Sequence, residues 1–82
     1  MRRFLWTEQA KGELRKIERE QAMKVLLELT RYGNTGQGDV KRLQDSDQYR
    51  LRVGDYRVRF KVLDDGSLRI VHVRHRKDAY RD

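Results

Sequence analysis

Two alternating stretches joined by a tight turn form the clearest pattern in the chain. Between residues 49 and 61, apolar and basic side chains exchange places at every second position on both sides of Gly54-Asp55. This period is typical of half-buried β-strands. Gly at the first central position of a two-residue loop favours a type II′ hairpin turn. The pattern therefore predicts a β-hairpin in which Leu51 lies opposite Val58 and Val53 lies opposite Tyr56.

One face of this hairpin is apolar, and the other, the arginine face, carries Arg50, Arg52, Arg57 and Arg59. The register places Arg52 opposite Arg57 and Arg50 opposite Arg59. Like charges in these positions destabilise a sheet by about a few tenths of a kcal/mol or more per pair. An anionic ligand would offset the repulsion, so we expect a polyanion-binding surface. A solvated face in a basic protein accounts for the same pattern.

A second hairpin is predicted from Asp65-Gly66, a strong signal for a two-residue turn. Its register pairs Val58 with Val73, Phe60 with Val71, Val62 with Arg69, Arg57 with Arg74 and Arg59 with His72. The arginine face therefore extends onto a third strand. The tail from Arg74 to Asp82 lacks strand alternation, and we expect it to cross the end of this face.

The N-terminal half has the period of amphipathic helices. A short strand over residues 2 to 6 precedes Thr7, which is a good N-cap residue. Two apolar stripes follow, displaced from each other by about 100°; they consist of Ala10, Leu14 and Ile17, then Ala22, Val25, Leu26 and Leu29. One straight helix cannot bury both stripes, so we predict a break near Arg19-Glu20 and a stop at Gly33-Asn34.

These elements predict one α+β domain over residues 1–82, with a two-helix hairpin packed on a small, mainly antiparallel sheet. The net charge of +7 and the pI of 10.1 favour polyanionic partners: nucleic acid, an acidic protein or an anionic membrane surface. Cysteine is absent, which excludes disulfides and thiol nucleophiles and fits the cytoplasm. No stretch approaches the roughly 20 apolar residues of a membrane span.

The candidate anion site consists of basic residues, since guanidinium groups bind phosphate bidentately. Its members are Arg50, Arg52, Arg57, Arg59, Lys61, Arg74, Arg76 and Lys77. Histidine has an unperturbed pKa near neutrality, and neighbouring arginines favour its neutral, basic form, so His72 and His75 are candidate bases. They point to opposite sides of a strand, so they do not form a metal pair. A structural role or a phosphate contact accounts equally well for each histidine.

The aromatic residues divide into two groups. Tyr49, Tyr56 and Phe60 fall on the apolar face, where packing explains them. Tyr80 lies in a polar tail with no apolar pattern around it. No Ser-His-Asp set, carboxylate pair or metal cluster can be assembled from the chain.

Residues 49–58, Tyr-Arg-Leu-Arg-Val-Gly-Asp-Tyr-Arg-Val, and residues 73–81, Val-Arg-His-Arg-Lys-Asp-Ala-Tyr-Arg, resemble the RelE/ParE superfamily of type II toxins. The RelE-like branch implies a ribosome-dependent mRNA endoribonuclease in which the ribose 2′-hydroxyl attacks the adjacent phosphate without a metal or another cofactor. The resemblance matches Arg57 to the arginine that contacts the scissile phosphate, Arg76 to the last-strand arginine and Tyr80 to the C-terminal tyrosine.

Arg50 and Arg52 stand where some RelE-like members carry lysines that transfer protons. A guanidinium is a poor acid or base at neutral pH, so the proton-transfer role passes to His75 or His72. We therefore expect Arg50 and Arg52 to hold phosphates.

The ParE-like branch shares the fold and implies a DNA gyrase inhibitor without nuclease activity. The combination of Arg57, Arg76 and Tyr80 favours RNA cleavage, with the ribosome and mRNA as partners. Either branch implies a cognate antitoxin with an acidic or amphipathic segment that covers the basic face. A non-catalytic nucleic-acid-binding module is the third alternative.

Overall fold

The structure, a computed structural model, describes residues 2–79. Its elements are β1 (Phe4–Trp6), α1 (Glu8–Lys16), α2 (Arg19–Thr35), β2 (Val40–Arg42), β3 (Gln48–Val53), β4 (Tyr56–Val62) and β5 (Leu68–His75). The strands form one sheet in the order β1-β5-β4-β3-β2. β1 runs parallel to β5, and the other neighbours are antiparallel. The predicted α+β arrangement is confirmed, and β2 is a strand that the pattern did not indicate.

The ends of the helices explain why the N-terminal half forms two of them. Thr7 Oγ1 accepts a hydrogen bond of 3.1 Å from the Ala10 N–H, which confirms the predicted N-cap. The break falls at Ile17-Glu18, slightly before the predicted position. The prediction of a stop at Gly33-Asn34 is wrong. The second helix continues to Thr35, and Gly36 ends it with a φ of 74°, a left-handed conformation that suits glycine.

The core lies between the helices and the apolar face of the sheet. Ala10 and Val25 contribute from the helices, while Leu51, Val58 and Phe60 contribute from the sheet, and all five are fully buried. The prediction that Leu26 belongs to this core is wrong. It is 42% exposed, because its side chain falls outside the face that α2 turns towards the sheet. Among the described residues, no helix is long and apolar enough to cross a membrane.

The first hairpin has the predicted register at every position. Leu51 pairs with Val58, Val53 with Tyr56, Arg52 with Arg57 and Arg50 with Arg59. Gly54 has a φ of 57°, whereas Asp55 does not have a positive φ. A type II′ turn needs a positive φ at its first central residue only. The sequence pattern therefore predicts both the turn and the positions of the four arginines.

The second hairpin differs from the prediction at its loop end. Leu63 N–H donates to Ser67 O at 2.8 Å, and Gly66 N–H donates to Leu63 O at 2.9 Å. Gly66 has a φ of 88°, so the loop is the three-residue type that ends in a left-handed glycine. The expected two-residue turn at Asp65-Gly66 is wrong.

A β-bulge corrects for this longer loop. Phe60 pairs with Ile70 and Val62 with Leu68, so the predicted partners Val71 and Arg69 are wrong. Val71 is the extra residue, and beyond it the predicted pairs resume, with Arg59 beside His72 and Arg57 beside Arg74. The physical reason is burial: Ile70 and Val73 are both inside, although an odd spacing in a regular strand would place them on opposite faces.

Candidate nucleic-acid interface

The arginine face contains a small cavity of roughly 10 Å³ where three strands meet. It is lined by Arg50 of β3, by Arg57 and Arg59 of β4, by His72 and Arg74 of β5, and by Ala79. Cross-strand pairing brings these side chains together, because Arg59 lies between Arg50 and His72. A cavity of this size holds about one water molecule. A single phosphate oxygen has the same dimensions and the charge that this lining favours.

A wider cleft of roughly 230 Å³ adjoins the cavity and shares Arg50 and Arg57 with it. Arg52, Lys41 and Asp39 complete its lining. Lys41 pairs with Arg50 across β2 and β3, which places its ammonium group on the arginine face. Sequence reasoning missed Lys41 and Asp39, because the short strand that carries Lys41 has no alternating pattern of its own.

Arg57 is held by the turn that precedes it. Its Nη1 donates hydrogen bonds of 2.9 Å to Gly54 O and 3.0 Å to Tyr56 O. The side chain is half-buried. The type II′ turn therefore orients the arginine that the family resemblance matches to the phosphate-contacting position.

The two histidines lie in different surroundings. His72 lines the cavity. His75 lies beyond the cavity lining on the opposite side of the strand, with its ring edge-on to Tyr56 at 5.4 Å between centroids. Its Nδ1 accepts a 3.2 Å hydrogen bond from the Lys77 N–H. The expected opposite orientation is confirmed, and only His72 is brought together with the arginines.

Glu13 of α1 lies beside the arginine face, and sequence reasoning missed it. Its Oε1 accepts a 2.9 Å hydrogen bond from the Val73 N–H and lies 3.5 Å from His72 Nδ1. Its Oε2 accepts a 3.0 Å hydrogen bond from Arg74 Nε. Burial acts to raise the pKa of this carboxyl, but the hydrogen bonds from Val73 and Arg74, together with nearby positive charge such as that of Arg74, hold the pKa below its usual 4.5. Glu13 lies outside the apolar stripe that predicted α1, so the sequence pattern did not indicate this contact.

The remaining candidates that the structure describes lie at the margins of the face. The Arg76 N–H donates to Asp55 O at 2.7 Å, and its Nε lies 3.9 Å from Asp55 Oδ1. Lys61 Nζ lies 3.2 Å from Asp47 Oδ2, and Lys77 is exposed. Tyr80 lies outside the described residues.

The predicted tail begins too early, because β5 includes Arg74 and His75. Its described remainder, residues 76–79, crosses the end of the arginine face as expected. Arg59 Nη2 donates to Ala79 O at 3.5 Å, and Ala79 is buried. Within residues 2–79, no group of three or more His, Cys, Asp or Glu side chains is placed to hold a metal ion.

Comparison with known folds identifies the architecture. The RelE–RelB complex of the archaeon Pyrococcus horikoshii OT3 superposes with a TM-score of 0.79 at 24% identity, covering 95% of this chain and 98% of that one. The RelB–RelE complex of Methanococcus jannaschii gives 0.78 at 23% identity, covering 94% and 95%. The intact RelBE complex of E. coli gives 0.73 at 20% identity, covering 89% and 94%. These similarities show a shared fold.

Sequence comparison addresses the family. No curated protein sequence matches significantly. A family profile described as "ParE toxin of type II toxin-antitoxin system, parDE" matches residues 4–80, which is almost the whole chain. The chain is therefore a type II toxin with a RelE/ParE fold, and it belongs to the ParE toxin family of type II toxin–antitoxin systems.

Proposed function

We propose that this toxin is a metal-independent endoribonuclease that cleaves mRNA on the ribosome. The observation that carries the proposal is the cavity in which four arginines and His72 converge. Fixed guanidinium groups stabilise the negative charge that develops on a phosphate during attack, and such groups act most strongly when they are oriented before the reaction. The turn carbonyls that hold Arg57 provide this orientation.

In the proposed reaction, the ribose 2′-oxygen forms a bond to phosphorus as the bond from phosphorus to the 5′-oxygen breaks. The products are a 2′,3′-cyclic phosphate and a 5′-hydroxyl. One group must accept the 2′-hydroxyl proton, and a proton must be delivered to the leaving oxygen. Arginine cannot exchange protons readily at neutral pH. We assign the proton-accepting role to His72, because it lines the same cavity as Arg57 and Arg59.

The proposal assigns phosphate contacts to the rest of the face. Arg50 and Arg52 line the wider cleft and hold the RNA backbone, together with Lys41. Arg76 lies beyond the end of β5 and contacts RNA outside the cavity. For Tyr80, which lies outside the described residues, the proposal keeps the catalytic role that the family resemblance implies.

The partners follow from this function. The ribosome presents the mRNA, so the toxin acts in the cytoplasm. The solved relatives are toxin–antitoxin complexes, which supports a cognate antitoxin for this chain. A net charge of +7 favours an acidic partner segment that covers the arginine face.

The test is primer extension on a translated message, with purified ribosomes and toxin. Wild-type protein is expected to cleave within codons, and His72→Ala is expected to lower the cleavage rate at least 100-fold, as loss of a general base does. His75→Ala is the matched control, because this side chain packs on Tyr56. Equal losses in the two variants would contradict the assignment of His72, and intact mRNA with wild-type toxin would overturn the nuclease proposal.

A second candidate function is inhibition of DNA gyrase, which the match to a ParE toxin profile favours. The same purified protein can be added to a gyrase supercoiling reaction. Loss of supercoiling together with intact translated mRNA would select this function. Cleavage with unaffected supercoiling would exclude it.

A further inference from the structure

Glu13 joins α1 to the strand that carries His72 and Arg74. The pairing of β1 with β5 ends at Trp6 and Ile70, so the Val73 N–H beyond it needs another acceptor. Glu13 Oε1 supplies that acceptor at 2.9 Å. The register of the sheet therefore places this carboxylate at the edge of β5, next to the arginine cavity.

The other carboxylate oxygen fixes Arg74. Glu13 Oε2 lies 3.0 Å from Arg74 Nε, and the side chains are only 22% and 20% exposed. A charge-assisted hydrogen bond to Nε restrains the guanidinium plane. Arg74 also lines the cavity with Arg57, so a restraint on Arg74 acts on the geometry of the proposed site.

Glu13 is a negative charge beside the arginine face, whose positive charge favours anionic ligands. Electrostatics alone would make Glu13 unfavourable for RNA binding, since it cancels one positive charge. Glu13 is ionised at neutral pH, because its hydrogen bonds counteract the effect of burial and the pKa of the carboxyl lies below its usual value. The benefit must therefore come from orientation of its partners.

We propose that Glu13 is a positioning residue that holds the Arg74 guanidinium in the cavity for RNA cleavage. This inference rests on the proposed nuclease function. A carboxylate repels phosphate, so Glu13 is not a phosphate ligand, and it acts on the reaction through Arg74.

Glu13→Gln is the informative substitution. Its amide oxygen can still accept from the Val73 N–H, whereas the charge that restrains Arg74 is lost. We expect kcat for mRNA cleavage to fall about tenfold, within the range of a side chain displaced by about 1 Å or less. KM is expected to stay equal or to fall, because the face gains positive charge. A rise in KM with unchanged kcat would overturn the proposal.

Glu8→Gln is the matched control on the same helix. Glu8 is 89% exposed and lies 3.9 Å from Lys11 Nζ. It also removes one negative charge, so it reproduces the general electrostatic change. We expect kcat within twofold of wild type, and an equal fall in both variants would overturn the proposed role of Glu13.

A double-mutant cycle separates positioning from support of the fold. If Glu13 acts through Arg74, Glu13→Gln should change cleavage less than twofold in an Arg74→Ala background. A full tenfold loss in that background would show that Glu13 acts by another route and would overturn the proposal. Thermal unfolding of each variant confirms that the compared proteins are folded.

The contact itself is measurable without RNA. The Arg74 Nε–H signal in a proton–nitrogen NMR spectrum should exchange slowly with solvent in the wild type and at least tenfold faster in Glu13→Gln. Arg69, which is exposed on the same strand, provides the control signal. Unchanged Arg74 exchange would overturn the positioning role, even with cleavage present. Changed exchange without RNA cleavage would contradict the nuclease proposal alone.

Discussion

The two faces of the sheet are built in different ways. On the apolar face, Leu51, Val58 and Phe60 are fully buried, and their own hydrophobicity accounts for their positions. On the arginine face, Arg57 and Arg74 are half-buried and depend on contacts from a turn and from a helix. One face therefore supplies stability through burial, and the other presents oriented positive charge, which the proposed nuclease function would use. Substitutions should affect one property without the other.

The largest expected effect is on stability. Phe60→Ala should lower the free energy of unfolding by about 3–5 kcal/mol, the usual cost of a fully buried phenylalanine. The ring of Phe60 contacts those of Tyr32 and Tyr49, and these rings cannot easily move to fill the space that the substitution leaves in the core. Urea denaturation measures the change. Arg59→Ala, the adjacent residue on the other face, is expected to cost less than about 1 kcal/mol, and equal losses would remove the distinction between the faces.

The next effect is on cleavage alone. Arg57→Ala should lower the rate of mRNA cleavage about 100-fold, which is typical for loss of one charge-stabilising group. Its free energy of unfolding should stay within about 0.5 kcal/mol of wild type. Single-turnover primer extension and urea denaturation measure the two properties. Arg69→Ala controls for net charge, because it removes an exposed arginine outside the cavity, and it should cleave normally.

Gly54→Ala should affect both faces together. The φ of 57° at Gly54 is strained for a residue with a Cβ, so we expect a loss of about 1 kcal/mol. Because Gly54 O also accepts from Arg57, cleavage should fall with stability. Gly12→Ala, inside α1 with open space around it, should instead stabilise the protein by about 0.5–1 kcal/mol. Thermal unfolding measures the stability of both variants. A change in the same direction in both would contradict the assigned turn geometry.

The smallest effect concerns acid stability. The folded pKa of Glu13 lies below its usual 4.5. The contribution of this carboxylate to the free energy of unfolding is therefore fully present above pH 4.5, and it is lost as the pH falls through the folded pKa. Glu13→Gln should therefore be less sensitive to pH in this window than the wild type. Urea midpoints at pH 7 and pH 3 measure the difference. If the urea midpoint of the wild type falls between pH 7 and pH 3 no more than that of Glu13→Gln, the contacts assigned to this carboxylate are contradicted.

Prediction from the sequence succeeded where neighbouring residues determine the structure. Alternation and one glycine were enough for the first hairpin, including the opposition of Arg52 and Arg57. The second hairpin required a choice between Ile70 and Val71 as the buried residue, which a period of two cannot decide across a bulge. The larger side chain at Ile70 was the available signal.

The candidate site was predictable only in part for the same reason. Cross-strand register brought Arg50, Arg57 and Arg59 together. The position of Glu13 depends on how α1 lies along the open edge of β5, and a contact between residues about sixty positions apart leaves no local pattern. The sequence likewise could not predict that His72, and not His75, lines the cavity.

The bulge at Val71 divides the second hairpin into two halves that can change separately. A residue gained or lost in the loop between Leu63 and Ser67 shifts the pairing near the loop. The bulge in the present hairpin accommodates one such shift, because Arg59 still pairs with His72 and Arg57 with Arg74 beyond it. The positions of the cationic residues are therefore determined by the pairs beyond the bulge and not by the length of the loop.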